Sequence, residues 1–225
     1  SPKTAPTTIF GYNDVATFVY DYNKLTVLNN DHSFDTTGAV AGYGDEADSP
    51  LTGVSNPIQV LQGNDFALYL LNSGVIKSRG RNLYGQLGTG DNVDIDSGTA
   101  TGEVQGINTA TKIAMAQWTG VALLSNGQVW TWGGNDQGQL GRGNKVASNV
   151  PVQFDLPSNT AVDIFASGKV VCALLANGQV WCAGDNAGSR ITCDSSQTDK
   201  TTPVQFTTMT NLKEVNFGTF HSVLL

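Results

Sequence analysis

The sequence predicts an all-β fold, a β-propeller built of four-stranded blades of about 50 residues each, and three observations predict it. First, the chain repeats itself. "LLNSGVIKSRGRNLYGQLGTGDN" (70–92) lies on "LLSNGQVWTWGGNDQGQLGRGNK" (123–145) without a gap, at an offset of 53 (123 minus 70). "LLANGQVWCAGDNAGSRITCD" (174–194) follows at an offset of 51 (174 minus 123) and degrades where "GQLG" should stand. Second, another marker keeps the same period: "NPIQV" (56–60), "VPVQF" (150–154) and "TPVQF" (202–206), with "GEVQGI" (102–107) as the weak member. Third, each unit consists of short runs of β-formers around a turn containing Asn and Gly, and no segment sustains a 3.6-residue apolar period.

The units follow in order. Residues 1–59 are a degenerate first blade, in which "FVYDYNKLTVLNND" (18–31) carries Asn23 at the turn position held elsewhere by glycine. Asn tolerates the left-handed backbone better than other side chains, which supports counting this copy. "NNDHSFDTTGAVAGYGDEADSP" (29–50) reads as an altered blade or as a contact surface laid over one. Residues 60–110, 111–160 and 161–210 are clear repeats, with Gly74, Gly127 and Gly178 in their hairpin turns. Residues 211–225 are expected to supply the first strand of a further blade, "FGTFHSVLL" (217–225) lying under "ASGKVVCALL" (166–175).

The repeat is densest at "VWTWGGNDQGQLGRGN" (129–144), where two tryptophans run into a glycine-rich stretch. In a radial stack, Val129, Trp130 and Trp132 fill the space between neighbouring blades, and the chain must then turn within a few residues. Gly133, Gly134, Gly138 and Gly141 permit the turn, Asn135 and Gln139 cap its unpaired backbone groups, and Leu140 re-enters the packed layer. Gly85, Gln86, Leu87 and Gly88 repeat the pattern one unit earlier. The stretch lacks the Lys-Ser/Thr ending and strand-to-helix setting of a phosphate-binding loop, so a structural reading is preferred.

Composition narrows the function classes. Lys and Arg number 12 against 19 Asp and Glu, a formal net charge of −7, which argues against a nucleic-acid surface. No stretch approaches the roughly 18 apolar residues that cross a bilayer. The opening "SPKTAPTTIF" reads as a mature or trimmed start.

"VALLSNGQVWTWGGNDQGQLGRGN…NVPVQF" resembles the repeat of the regulator of chromosome condensation family. That unit runs as a Gly-x-x-His strand, Leu, Gly-x-Val, Trp-Gly-x-Asn, Gly-Gln-Leu-Gly and Pro-x-x-Val. His221 in "GTFHSVLL" occupies the histidine position, and the likeness covers most of 60–225. The resemblance implies a β-propeller, usually of seven blades; with four units and part of a fifth, this chain is expected to form a partial ring, its missing blades supplied by more of the same protein or by another chain. Some members of that family exchange nucleotide on a small GTPase, and others inhibit enzymes, serve ubiquitin ligases or decorate secreted proteins. Fold does not choose among these.

The cysteines point further. A bulged turn at "ANG" pairs Leu174 with Val180, Ala173 with Trp181 and Cys172 with Cys182, so that the two thiols face each other. "VCALLANGQVWCAG" resembles the variant of the repeat found in secreted and surface proteins, where both cysteines recur together. A Cys172–Cys182 bond and an oxidising compartment are expected. Two buried free thiols, or a Cys182–Cys193 bond, stand as alternatives, and Cys193 is otherwise free or intermolecular.

Other chemistry is thin. Asp91, Asp94 and Asp96 in "GDNVDIDSG" form a weak calcium candidate without the spacing or distal Glu of a known loop; no metal or cofactor is assigned. His32 and His221 lie in different units and make no zinc pair, and Ser222 has no acid partner. No catalytic residue is assigned. The expected function is a non-catalytic extracellular or cell-surface propeller acting as a structural or adhesive module, with self-assembly into a filament as one form, and with neither nucleic acid nor membrane insertion. The alternative is a soluble protein-binding propeller, an inhibitor or exchange-factor-like scaffold, for which Tyr84 is the one visible aromatic anchor. Trp118 and the acidic loop hint at a lectin.

Overall fold

The structure is a computed structural model; it describes residues 53–63, 65–96, 100–187, 191 and 197–206 in full, and the backbone of five strands outside them. Cys193, His32 and His221 lie outside the described residues. The chain is all-β. Backbone strands β1 (Val15–Asp21), β2 (Lys24–Asn29) and β3 (Phe34–Thr37) form one antiparallel sheet. Three four-stranded antiparallel meanders follow. They are β4 (Pro57–Gln62), β5 (Phe66–Leu71), β6 (Ile76–Gly80), β7 (Gly102–Glu103); β8 (Ala110–Ala116), β9 (Thr119–Leu124), β10 (Val129–Gly133), β11 (Ser148–Gln153); and β12 (Ala161–Ser167), β13 (Val170–Leu175), β14 (Val180–Gly184), β15 (Lys200–Gln205). β16 (Val215–Phe217) and β17 (Ser222–Leu224) then pair as a hairpin, so this segment contributes two strands where the sequence reading expects one. Ser222 opens β17.

The turn chemistry explains the tight meanders. Gly127 donates its N–H to the Leu124 carbonyl at 2.9 Å and Leu124 donates to Gln128 at 2.9 Å, which closes the β9–β10 hairpin over three residues. The arrangement repeats at Gly178, and the two glycines have φ of 79° and 81°, which a Cβ resists. Pro151 and Pro203 fall in β11 and β15, at the outer edge of each sheet, where the missing N–H breaks no ladder.

The period of two along each second strand builds the cores. β5, β9 and β13 are buried throughout, so both of their faces must be packed. Ala122, Leu124 and Trp132 join Phe66, Leu68 and Leu70 in one cluster between the second and third units. Val121, Leu123 and Val129 face the other way, into a cluster with Ile164, Val171 and Ala173 of the fourth. Trp132 is fully buried, and its indole Nε1–H donates to the Gln86 carbonyl of the preceding unit at 2.9 Å. Its ring lies over its register partner Gly120, where any Cβ would collide with it. Trp130, on the same side, packs partly buried against that cluster.

The first strands hold neighbouring units together as well. The Gln59 amide accepts from Ile113 N–H and donates to Ile113 C=O, both at 2.9 Å, so a β4 side chain completes the β8 backbone. One unit on, the equivalent Lys112 pairs with Asp163 of β12 and lies 5.5 Å from the centre of the Phe165 ring.

Candidate interaction face

The glycine-rich loop is a capping device. The Asn135 Oδ1 accepts from Leu140 N–H at 2.9 Å while its Nδ2 donates to the carbonyls of Asn144 at 3.0 Å and Val146 at 2.9 Å. Asn82 does the same work, accepting from Leu87 N–H at 2.9 Å, and Asn186 accepts from Ile191 N–H at 2.9 Å. Gln139 and Gln86 each accept at 2.9 Å from the backbone N–H two residues back. Gly138 packs on Thr201 and Gly85 on Asn149, so each loop seats on the fourth strand of the next unit. Gly141 sits against Phe154 with no room for a Cβ, and Gly88 lies tightly against Trp132. Gly133 meets the Trp118 carbonyl in the same way.

Beneath these loops, one cross-strand pair changes from unit to unit. Leu68 faces Ser78, Val121 faces Thr131, and Cys172 faces Cys182. The Ser78 hydroxyl donates to the Leu87 carbonyl at 2.8 Å, and the Thr131 hydroxyl to the Leu140 carbonyl at 2.9 Å. In the fourth unit Cys172 and Cys182 form a disulfide, with Cα atoms 4.1 Å apart, buried beside Ile191. The cystine stands where a hydroxyl tethers the loop elsewhere.

The acidic loop is turned inward. The Asp91 Oδ1 accepts from Thr89 Oγ1 at 2.9 Å, Asn82 Nδ2 at 3.1 Å and Val93 N–H at 3.2 Å, and the Asp94 Oδ1 accepts from Asn82 N–H at 2.6 Å. Among the described residues no group of three or more acidic, His or Cys side chains is placed to hold a metal, so Asp91, Asp94 and Asp96 do not form the calcium cradle considered above. The partners of Asp91 and Asp94 are the loop's own donors.

An antiparallel meander sets its first turn and its last loop at the same end of the sheet. At that end Asp65, Trp118 and Lys169 occupy equivalent turn positions in the second, third and fourth units. They meet. The Trp118 Nε1–H donates to Asp65 Oδ2 at 3.2 Å, Lys169 Nζ lies 5.5 Å from the Trp118 ring centre, and the Tyr84 ring stacks tilted on Trp118 at 4.8 Å. Arg81 approaches Asp65 at 3.9 Å, and Lys169 also pairs with Asp136. Partial burial pushes the Asp136 carboxyl up, but the hydrogen bonds from Lys169 and Gln139, the Lys169 charge and a backbone hydrogen bond outweigh it and hold the group below the usual carboxylate range. Leu83 is 68% exposed and Tyr84 39%, so an aliphatic and an aromatic side chain stand outward on a braced base.

The structure thus brings together Tyr84 and Trp118, which the sequence suggests for two different ligand classes. Asp65, Arg81, Leu83, Asp136 and Lys169 were not singled out. Lining up equivalent positions across the units would have found them, because Asp, Trp and Lys at one turn position cannot all answer the same packing need.

The family model described as "Regulator of chromosome condensation (RCC1) repeat" matches residues 126–174, and a second of the same description matches 110–139. Residues 110–174 thus match the RCC1 repeat. Human "E3 ubiquitin-protein ligase HERC2" is 29% identical over 136 residues, 57% of this chain and 3% of that protein. The Arabidopsis thaliana "RCC1 domain-containing protein RUG3, mitochondrial" is 25% identical over 84% of this chain and 44% of its own length. Yeast RCC1 bound to Kap60 superposes with a TM-score of 0.76 at 18% identity, covering 94% of this chain and 54% of that one. Human WBSCR16 superposes at 0.72 with 17% identity, over 90% and 57%. The RCC1 repeats here span about half of the propellers they match, and the four-stranded sheets are blades of that fold. Among the described residues no helix is long and apolar enough to cross a membrane.

Proposed function

We propose that this chain is a non-catalytic contact module, a stretch of RCC1 propeller that recognises protein through the end bearing its first turns and last loops, and that it works outside the cytosol, in a secreted or cell-surface setting. One observation carries the contact reading. The scaffold residues recur from unit to unit, Asn82 with Asn135 and Asn186 above all, whereas the equivalent turn residues Asp65, Trp118 and Lys169 differ and meet at one end, beside the exposed pair Leu83 and Tyr84. Residues that hold a fold need not vary between copies of it; residues that select a partner must. Yeast RCC1, whose fold this chain shares, is a protein seen with Kap60 bound to it.

The location rests on the buried cystine, since such bonds persist in oxidising compartments. Self-association, where it occurs, is expected through blade faces, because Pro151 and Pro203 deny the outer edges part of their pairing capacity. The test is the intact mass of protein purified from its native source, alkylated before and after reduction. With 3 cysteines in the chain, the proposal expects one alkylated thiol before reduction and all of them after it. All thiols reactive from the start would remove the extracellular reading and leave the soluble protein-binding alternative.

A further inference from the structure

At the junction of the second and third blades, we infer, the chain carries a docking site for a protein segment that presents an apolar anchor flanked by basic residues, with Leu83 and Tyr84 as the contact atoms and Trp118 as their support. The inference rests on the contact-module reading and names its partner chemistry.

The argument runs by what each group is already doing. A sugar-stacking platform needs a free indole face and usually a free donor, but the Trp118 ring is engaged by Tyr84 and Lys169 and its N–H by Asp65. A phosphate site needs free cations, yet Arg81 and Lys169 are each placed against a carboxylate of the same face, Asp65 and Asp136. What remains outward is apolar surface, 68% of Leu83 and 39% of Tyr84, set at the centre of two self-neutralised ion pairs. That is the layout of a protein hot spot, an anchor position with a polar rim. Charge chooses between partners. The rim pairs cancel locally, while the chain as a whole carries −7, so an approaching basic segment is attracted and an acidic one repelled.

The junction is also specific to these two units. At the next one the positions equivalent to Leu83 and Tyr84 are Asp136 and Gln137, which offer no apolar anchor. Tyr84 rests on Trp118 at 4.8 Å, and Trp118 is itself held by Asp65 and Lys169, a preorganised support of the kind that favours binding.

The experiment selects a random dodecapeptide phage library on the whole chain and measures the enriched peptides, as synthetic peptides, against Leu83→Ser, Tyr84→Ala and Asn126→Ser. Asn126 lies in the β9–β10 turn, at the opposite end of the blade. Enriched peptides should carry Leu, Phe, Tyr or Trp beside Lys or Arg, and should lose affinity at least about tenfold on Leu83→Ser and on Tyr84→Ala while ignoring Asn126→Ser. Leu83→Ser touches no brace, so an unchanged melting curve with lost binding separates recognition from folding. Enriched peptides that ignore both substitutions, that are acidic, or that respond only to Asn126→Ser would overturn the site and leave the contact module standing. No enrichment at all would overturn both. Binding to an immobilised glycan array that survives both substitutions would replace the proposal with a sugar site elsewhere.

Discussion

If the cystine of the fourth blade substitutes for the hydroxyl tether of the second and third, then writing the third blade's pair into the fourth should rebuild what the disulfide replaced. The perturbation is Cys172→Val with Cys182→Thr, copying Val121 and Thr131. The bond closes a sequence separation of 10, and losing a loop of that size costs roughly 2.7 kcal/mol of chain entropy. A threonine hydroxyl donating to the Ile191 carbonyl, as Thr131 does to Leu140 at 2.9 Å, contributes about 1 kcal/mol in return, and valine with threonine fills the buried volume. The net loss is therefore about 1–2 kcal/mol. Cys172→Ala with Cys182→Ala loses the same entropy, gains no tether and leaves space beside fully buried Ile191, for a loss of about 4–5 kcal/mol. Urea titrations under one set of conditions, with equal slopes, give the ranking directly. The expected order is wild type, Val/Thr, reduced wild type, Ala/Ala, and in thermal melts the two double variants should stand about 5–10 °C apart. Val/Thr melting no higher than Ala/Ala would refute the equivalence, and the cystine would then hold the blade for some other reason.

Further expectations concern the scaffold and the face. Asn135→Ala strands the buried Leu140 N–H and removes a donor from the carbonyls of exposed Asn144 and Val146, and should lower stability by about 1–3 kcal/mol in denaturant titration, while Asn126→Ala in an exposed turn should cost under about 1 kcal/mol. Gly120→Ala places a methyl inside the Trp132 ring and should cost about 3 kcal/mol or more, read as a red-shifted, weakened tryptophan emission as well as a lower midpoint. Because the Asp136 carboxyl lies below its ordinary range in the folded chain, its contribution is present above the unfolded-state pKa and is lost as pH falls through the folded one; Asp136→Asn should therefore lower stability modestly at neutral pH and flatten the acid limb, the two profiles converging below about pH 4.

Period and turn residues made the fold readable from the sequence, because a blade strand must satisfy two neighbours at once. Alternation along "VALLSNGQVWTW" places Val121, Leu123 and Val129 on one side and Ala122, Leu124 and Trp132 on the other, and the cores divide along the same line. The Cys172–Cys182 pairing was readable for a related reason: an Asn-Gly turn of fixed length sets the register of the whole hairpin. Recognition is written differently. The contact face is assembled from single residues 53 and 51 positions apart, 118 minus 65 and 169 minus 118, and nothing local to Asp65, Trp118 or Lys169 says that they meet. Local pattern likewise leaves the aspartates of "GDNVDIDSG" as no more than a weak ligand candidate, and only the structure shows that Asn82 needs Asp91 and Asp94 for its own placement. Both silences have one cause. A carboxylate or an aromatic ring gains its meaning from a partner one blade away, and the repeat period tells where that partner stands without telling which chemistry it brings.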